Sequence, residues 1–376
     1  MGAGLTCENL GMSEPRDGAP VPSGPAAELP FLPSGVDVEQ PPRLTPSRVV
    51  GAALSLLLVV ALLIWALPWA TGASWAGILA SLSSLPAWAL PAVLVLGAAA
   101  IGLEAVTVTV AVRGARYRTA LQGHAASAAL ALAVPGGGMM GMYLLGWILR
   151  RTGLAIPVIL TGIIAASLVE MLVTSVLIPL VGLGAYALSS LSAATGPALP
   201  GAVWAAVAAV AGALIALALT SLLLKRSVLT GLLDQLGQIM PFTHADTVLE
   251  QRDVLLATLR TRPAGLLLPT MAARLLQWVA LVVAIEAVGA QVPLLLTVAI
   301  FALGRVLSLV PLTPGGAGIT ETVGAAALVA LGVGAEASAS AMLLLAVTTV
   351  AVPLVGGAVG AATAFLRAPR SSPSTP

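Results

Sequence analysis

Residues 119–149 read TALQGHAASAALALAVPGGGMMGMYLLGWIL, an apolar stretch broken near its middle by Pro135, Gly136, Gly137 and Gly138. A helix rises about 1.5 Å per residue, and the hydrocarbon core of a bilayer is about 30 Å thick. Neither half of the stretch crosses that core, because the halves reach only about 24 Å and about 17 Å as helices. Arginines precede and follow the stretch, and positive charge marks the cytoplasmic side. We therefore predict a re-entrant helical hairpin that enters from the cytoplasm and returns to it.

A second break of the same kind begins 179 residues later, at position 314. The apolar run 294–312 leads into it, and the run 319–333 follows it. The residues of this break are Pro314, Gly315, Gly316, Ala317 and Gly318. We predict a second hairpin here that enters from the outside, with two full spans joined at the proline as the alternative.

The two breaks predict an internal repeat. A span, a broken hairpin and a further span occur twice in opposite orientation, which is typical of carriers whose sites lie where half-helices meet at the membrane midplane. Residue identity between the halves is expected to be low beyond the breaks. The alternative is a pair of glycine-rich kinks that serve close helix packing.

The composition is that of a polytopic membrane protein. Of the 376 residues, 59% are hydrophobic and 9% are charged, whereas about a quarter of a soluble domain is charged. An ordinary soluble enzyme is therefore excluded. The arginines fall in short clusters between apolar runs, where they orient the chain, so the sequence pI of 9.1 does not indicate nucleic-acid binding. Cys7 is the only cysteine, which excludes a disulfide framework or a cysteine metal site within the chain.

We predict an all-α fold with about six full transmembrane helices plus the two opposed hairpins. The full spans are predicted at 49–70, 87–112, 154–180, 201–224, 264–289 and 337–366, with outer loops at 71–86 and 185–200. The first span has 22 residues, which is too long for the apolar region of a signal peptide. The arginines beside the first and last spans place both termini in the cytoplasm. We expect the protein in the inner membrane of the cell.

The domain organisation follows from these spans. Residues 1–48 are predicted to form a disordered proline-rich cytoplasmic tail, 49–366 the transmembrane domain, and 367–376 a short cytoplasmic tail. Within the domain, 225–263 is predicted as a cytoplasmic amphipathic insert. Its first helix runs from Val228 to Met240, and its second begins at a capping box formed by Thr247 and Glu250.

Seven ionisable residues fall inside the apolar runs, where each costs a few kcal/mol unless it is paired or hydrated. Arg305 and Glu321 flank the second break, where they form either a clamp that closes the hairpin or a substrate site, or both. Arg274 lies deep in its span and needs a partner from another helix or an anionic headgroup. Its expected protein partners are Glu104 and Glu286.

For the remaining ionisable residues an ordinary structural role is expected. Glu170 and Glu286 lie near the outer ends of their spans, where water is available. His124 lies near the cytoplasmic surface and is expected to form a simple hydrogen bond, with a proton relay as the alternative. The sequence has no His-Glu-x-x-His, no Gly-x-Ser-x-Gly and no nucleotide loop. We predict no catalytic residue, metal or cofactor.

The segment 305–321 reads RVLSLVPLTPGGAGITE and resembles the late signature of the lysylphosphatidylglycerol synthase transmembrane (flippase-like) family, an Arg, then Pro-Gly-Gly-x-Gly, then Glu. The resemblance extends over the general layout of 48–366. In the family the first hairpin often carries a Gly-Glu after the proline, whereas Gly138 and Gly141 are followed by methionine here. Members with a cytosolic aminoacyl-transfer domain make lysyl-lipid, and this chain is expected to lack that domain.

The resemblance implies the translocating half alone, which moves an anionic or aminoacylated phospholipid, or a polyprenyl-phosphate-linked lipid, between leaflets. The alternatives are a membrane-embedded transferase acting on a lipid phosphate, a small-solute carrier, and a non-transporting partner of a lipid synthase. The expected partner is a membrane lipid, with a lipid-modifying enzyme as a further candidate; no oligomeric state is predicted. The predicted substrate-binding residues are Arg305, Glu321, Arg274, Pro314, Gly315, Gly316, Gly318, Glu104, Pro135, Gly136 and Gly137.

Overall fold

The computed structural model describes residues 46–134, 137–192, 245–308 and 313–366, together with isolated helical positions between 204 and 230. Throughout these residues the regular structure is helical, which confirms the all-α class. We number the helices of the continuous segments α1 (Pro46–Ala61), α2 (Leu67–Thr71), α3 (Trp75–Ser83), α4 (Ala89–Ala111), α5 (Tyr117–Ala133), α6 (Gly137–Arg150), α7 (Ile156–Leu172), α8 (Ile178–Ser192), α9 (Ala245–Thr261), α10 (Pro263–Ala287), α11 (Leu294–Leu307), α12 (Ile319–Ala330), α13 (Ala335–Ala346) and α14 (Val352–Leu366).

Several predictions fall outside the described residues. They concern the tail before position 46, the tail 367–376, the part of the first insert helix from 231 to Met240, and the residues Pro135 and Gly136. The span predicted at 201–224 is described only at isolated helical positions.

Four helical segments in the described part of the chain are long and apolar enough to cross a membrane: Ala89–Ala111, Ile156–Ser189, Pro263–Ala287 and Ala335–Leu366. A fifth is possible if Leu57–Thr71 and Trp75–Ser83, which meet at a bend of 95°, count as one span. The four long segments confirm the predictions of helices at 87–112, 154–180, 264–289 and 337–366.

Three local predictions are wrong. The loop predicted at 71–86 contains α3, because Gly72 ends α2 with a φ of 73° and the Ser74 hydroxyl caps α3 by accepting a hydrogen bond from Gly77 N at 3.0 Å. The loop predicted from 185 begins later, because α8 continues to Ser192. The second helix of the insert begins at Ala245 and not at Thr247 as predicted, so that Thr247 lies inside its first turn.

Both broken segments fold as antiparallel pairs of helices, as predicted. In the first pair, α5 and α6 approach so closely that a Cβ on Gly141 would lie 2.6 Å from the carbonyl oxygen of Ser127. In the second pair, the Thr320 hydroxyl of α12 donates to Gly304 O of α11 at 3.3 Å. The turn between α11 and α12 needs glycine, because Gly315, Gly316 and Gly318 have φ values of 61°, 74° and 84°.

Three π turns join helices end to end, between α1 and α2, α7 and α8, and α13 and α14. Each of the three has the same cause. The turns span Leu62–Ala66, Val173–Leu177 and Val347–Ala351. A proline follows two residues after each of them, at positions 68, 179 and 353. Proline lacks an amide hydrogen and its ring pushes away the carbonyl one turn earlier, so a widened turn accommodates it without ending the helix.

Two of these π turns reveal the internal repeat at the residue level. Residues 173–182 read VTSVLIPLVG and residues 347–356 read VTTVAVPLVG, with seven of ten positions identical. The expectation that residue identity is low beyond the breaks is therefore wrong for the long helical segment that follows each hairpin. The corresponding helices α4 and α10 pack against each other and run antiparallel, since Thr107 meets Thr270 while Val110 meets Gly265. The halves are thus inverted with respect to each other.

Each hairpin packs on the other half of the molecule. Helix α5 of the first hairpin lies against α14, and helix α11 of the second lies against α8. Each contact depends on a glycine that lies in a repeated segment or directly after it. Gly357 faces Ala125 and Ala129, and Gly182 faces Ala302, without room for a further carbon atom. The fold is therefore held together by exchange of contacts between its two halves.

Candidate functional site

A central cavity of about 590 Å³ lies where the two halves meet. Its walls come from α4 and α10, from both hairpins, and from the π-turn regions at 173–177 and 347–351. Most of the lining side chains are apolar, and a small set of polar and charged ones converges among them. The ionisable members of this set are Glu104, His124, Glu170, Arg274, Arg305 and Glu321.

Arg274 is the centre of an ion-pair network between three helices. Its Nη2 lies 3.0 Å from Glu104 Oε1 of α4 and also contacts Glu170 Oε1 of α7. Its Nη1 donates to Gln277 Oε1 at 2.7 Å. The prediction that Arg274 is paired across helices is confirmed for Glu104, whereas Glu286 is exposed and does not line the cavity.

His124 extends the network to the first hairpin. Its Nε2 lies 2.9 Å from Glu104 Oε2, so Glu104 faces a guanidinium group with one oxygen and an imidazole with the other. The hydrogen bond expected for His124 is confirmed. The side chains of His124 and Glu104 are only 23% and 13% exposed, which places this contact within the protein.

The Glu170 side chain is 39% exposed, in agreement with the solvation expected from the sequence, but it also forms an ion pair that was not predicted. Its carboxylate contacts Arg274 and accepts a hydrogen bond from the Thr174 hydroxyl at 2.8 Å. Nearness to the outer end of a span indicates access to water, but it does not show which side chain of another helix lies within reach. The signal was present in its position just before the repeated segment that begins at Val173.

Gln277 was also missed, although it follows Arg274 by three residues and therefore lies on the same face of α10. Its side-chain oxygen orients one edge of the guanidinium group. A neutral side chain inside an apolar run carries no charge signal, so the ionisable residues alone gave an incomplete site.

The predicted clamp between Arg305 and Glu321 is not formed. Glu321 is 3% exposed, and its Oε2 accepts a hydrogen bond from Gly318 N at 2.6 Å. It thereby caps the start of α12, where a negative charge suits the helix dipole. Local capping therefore satisfies this carboxylate without the arginine.

Arg305 consequently faces the cavity without a direct ion-pair partner among the described residues. Its buried Nε also has no hydrogen-bond partner among these residues. The buried Nε of Arg274 is likewise without a partner there. A guanidinium group offers donors in a planar fork that fits phosphate and carboxylate, so both arginines retain capacity for an anion.

The predicted glycines divide into those at the cavity and those that serve packing. Gly315 lines the cavity. Gly316 packs against Ser308, Gly318 against Leu62, and Gly137 against the backbone of Leu130. Pro314 begins the short 3-10 turn Pro314–Gly316.

Within the part of the chain that the structure describes, no group of three or more His, Cys, Asp or Glu side chains could hold a metal ion. The polar set instead combines two guanidinium groups with three carboxylates, an imidazole and the amide of Gln277. This combination offers hydrogen-bond donors and acceptors to a charged group against apolar walls.

The comparisons with known proteins agree with this description. The family model for the lysylphosphatidylglycerol synthase TM region matches residues 50–357, which include both hairpins and every ionisable residue of the cavity. A search of curated proteins finds no match.

Proposed function

The chain belongs to the lysylphosphatidylglycerol synthase transmembrane family, and from this premise we propose that it translocates a lipid with a phosphate-bearing headgroup between membrane leaflets. The protein is a multi-pass membrane protein. Its proposed substrate is an anionic or aminoacylated phospholipid, or a lipid linked to polyprenyl phosphate, in the inner membrane of the cell.

The absence of a direct partner for the buried Nε of Arg305 among the described residues carries this proposal. A cation inside an apolar domain is unfavourable unless an anion or water compensates it. Arg305 lines the cavity on α11, and no described carboxylate pairs with it. A lipid phosphate supplies a direct ion-pair partner and accepts hydrogen bonds from the guanidinium group.

The walls of the cavity support an amphipathic ligand. Apolar residues from the first hairpin, such as Leu132 and Met142, and from the second half, such as Ile300 and Phe301, surround the polar centre. A lipid presents a charged headgroup and apolar chains together, so it matches both parts of this surface. A polar solute matches only the centre.

The test is a leaflet-exchange assay with the purified full chain in phosphatidylcholine vesicles that contain a trace of fluorescent phosphatidylglycerol. An impermeant reductant bleaches only the outer leaflet, so further loss of fluorescence measures translocation. We expect Arg305→Gln to slow translocation by about tenfold or more, since a hydrogen bond to a charged group contributes about 1.5 to 3 kcal/mol. Arg305→Lys should retain an intermediate rate, because it keeps the charge and loses the planar fork.

Arg113→Gln is the matched control, since it removes an exposed arginine that does not line the cavity. Equal rates for wild type and Arg305→Gln, both monodisperse, would contradict the proposal. Vesicles that show no lipid movement but accumulate inorganic phosphate would favour a solute carrier. A chemically altered headgroup that depends on Mg²⁺ would favour a transferase, and none of these activities would favour a synthase partner.

A further inference from the structure

We propose that His124 and Glu104 form a proton-binding site, and that one proton crosses the membrane with each anionic headgroup. This inference rests on the proposed function and adds an energy source to it. Three observations carry it: the charge balance of the cavity, the sharing of Glu104 between two cations, and the position of His124 on a hairpin.

The charges of the cavity favour joint entry of an anion and a proton. The carboxylates of Glu104, Glu170 and Glu321 outnumber the guanidinium groups of Arg274 and Arg305 by one. A headgroup that entered alone would add a second negative charge to an environment in which charge is costly. A proton that enters with it leaves the net charge of the cavity unchanged.

Glu104 connects the binding of the headgroup at Arg274 with the binding of a proton at His124. One of its oxygens lies 3.0 Å from Arg274 and the other 2.9 Å from His124. A phosphate that binds the free edge of Arg274 competes with Glu104 for the guanidinium group. Glu104 then needs another positive charge, which a protonated His124 provides at the contact already formed.

The proton has a defined place in this scheme. A carboxylate can only accept a hydrogen bond, so Nε2 of neutral His124 carries the hydrogen that faces Glu104. The incoming proton therefore binds Nδ1 and converts the imidazole into an imidazolium ion. When the headgroup leaves, Arg274 pairs with Glu104 again, and the proton leaves from Nδ1.

The surroundings of His124 make Glu104 its main electrostatic partner. Helix α14 and the 3-10 turn have no titratable residue, and α1 has none among its described side chains. Helix α6 carries Tyr143 and Arg150, of which Arg150 donates to Leu154 O. Arg151 follows α6 and donates to Ala364 O. On α5 itself Tyr117 donates to Gly102 O, and Arg118 is exposed.

His124 also links proton binding to movement. It belongs to α5 of the first hairpin, whereas Glu104 belongs to α4, which packs against α10. Protonation of His124 strengthens the contact between the first hairpin and α4, because it adds a positive charge to the hydrogen bond with Glu104. The protonation state of His124 therefore changes how strongly the first hairpin is held on α4.

The experiment uses the same vesicles, now with a pH difference across the membrane. Transport of one lipid anion with one proton moves no net charge, and at equilibrium the lipid accumulates in the leaflet that faces the alkaline side. We expect an asymmetry of up to about tenfold for one pH unit, the ratio that one proton per lipid allows. A potassium diffusion potential of either sign should leave the asymmetry unchanged, and protein-free vesicles measure the passive response.

His124→Gln keeps a hydrogen-bond donor toward Glu104 and cannot be protonated, so it should lose the asymmetry. His244→Gln is the matched control, since His244 is the only other histidine of the sequence, and it should retain the asymmetry. A pH dye inside the vesicles should report proton movement with lipid in the wild type.

The outcomes separate this inference from the proposed function. Lipid movement by the wild type without any asymmetry would overturn proton coupling and leave translocation intact. No lipid movement under any condition would overturn translocation itself. An asymmetry that persists in His124→Gln would overturn the assignment of the site, and one that follows the diffusion potential would overturn the stoichiometry. The wild-type measurement alone decides coupling even if the variant fails to fold.

Discussion

At the scale of single residues, Arg274 compensates two carboxylates that belong to different helices. Its side chain is 10% exposed, and that of Glu104 is 13% exposed. Removal of one partner of a buried ion pair leaves the other charge without compensation. The network thus stabilises the fold in addition to any role in binding.

We expect Arg274→Met to lower the free energy of unfolding by about 3 to 5 kcal/mol, measured by chemical denaturation in detergent micelles. The combination of Arg274→Met with Glu104→Gln and Glu170→Gln should recover part of that loss, because no uncompensated charge then remains among the three. Arg113→Gln serves as the control. A single variant as stable as the wild type would show that water already compensates the carboxylates.

At the scale of elements, the contact between the first hairpin and α14 depends on one glycine. A Cβ at Gly357 would overlap the carbonyl oxygen of Ala125 and the Cβ of Ala129, whereas a Cβ at the neighbouring Gly356 meets nothing within 4 Å. The sequence offers a matched pair of adjacent positions in the same helix.

We expect Gly357→Ala to lower the free energy of unfolding by about 1 to 3 kcal/mol through overpacking. Gly356→Ala should change it by no more than about 0.5 to 1 kcal/mol, in the stabilising direction, because alanine favours the helix. Thermal unfolding of both purified variants in the same detergent provides the measurement. Equal midpoints for the two variants would mean that the hairpin is not packed on α14 in solution.

The inverted repeat extends this prediction to the second hairpin. A Cβ at Gly182 would overlap Ala302 of α11, while Gly184 on the same helix has open space. Gly182→Ala should therefore destabilise the protein as Gly357→Ala does, with Gly184→Ala as its control. A Gly182→Ala variant as stable as Gly184→Ala would contradict close packing of α11 on α8.

At the scale of the whole molecule, the arginine clusters predict the orientation of the chain. Ser84, after α3, is expected outside, and Arg113, after α4, is expected in the cytoplasm. In a Cys7→Ser background, Ser84→Cys should react with an impermeant maleimide in intact cells, and Arg113→Cys should react only after permeabilisation. The reverse pattern would contradict the predicted topology.

The same assay tests whether the first hairpin is re-entrant. Met139 lies next to the break and is 77% exposed. If α5 and α6 turn back within the membrane, Met139→Cys should remain unlabelled from outside in intact cells, under conditions that label Ser84→Cys. Labelling from outside would indicate two full spans in place of a hairpin.

The sequence by itself determined the membrane class, four of the long helices and both hairpins. These features depend on apolar run length, on Pro and Gly at the breaks, and on arginine position, all of which are local. It also carried the repeat at 173–182 and 347–356, which hydropathy alone did not reveal.

Only the tertiary structure decided which charges meet. Arg274 pairs with two glutamates that lie more than 100 residues before it in the chain, Glu104 and Glu170. These residues meet because the inverted halves bring α4, α7 and α10 to one cavity. Glu321 instead satisfies its carboxylate at the start of its own helix, which leaves Arg305 without a direct ion-pair partner among the described residues. Whether two charged side chains form an ion pair depends on the distance between them in space. The two halves of this protein exchange contacts, so this distance does not follow from the separation of the residues along the chain.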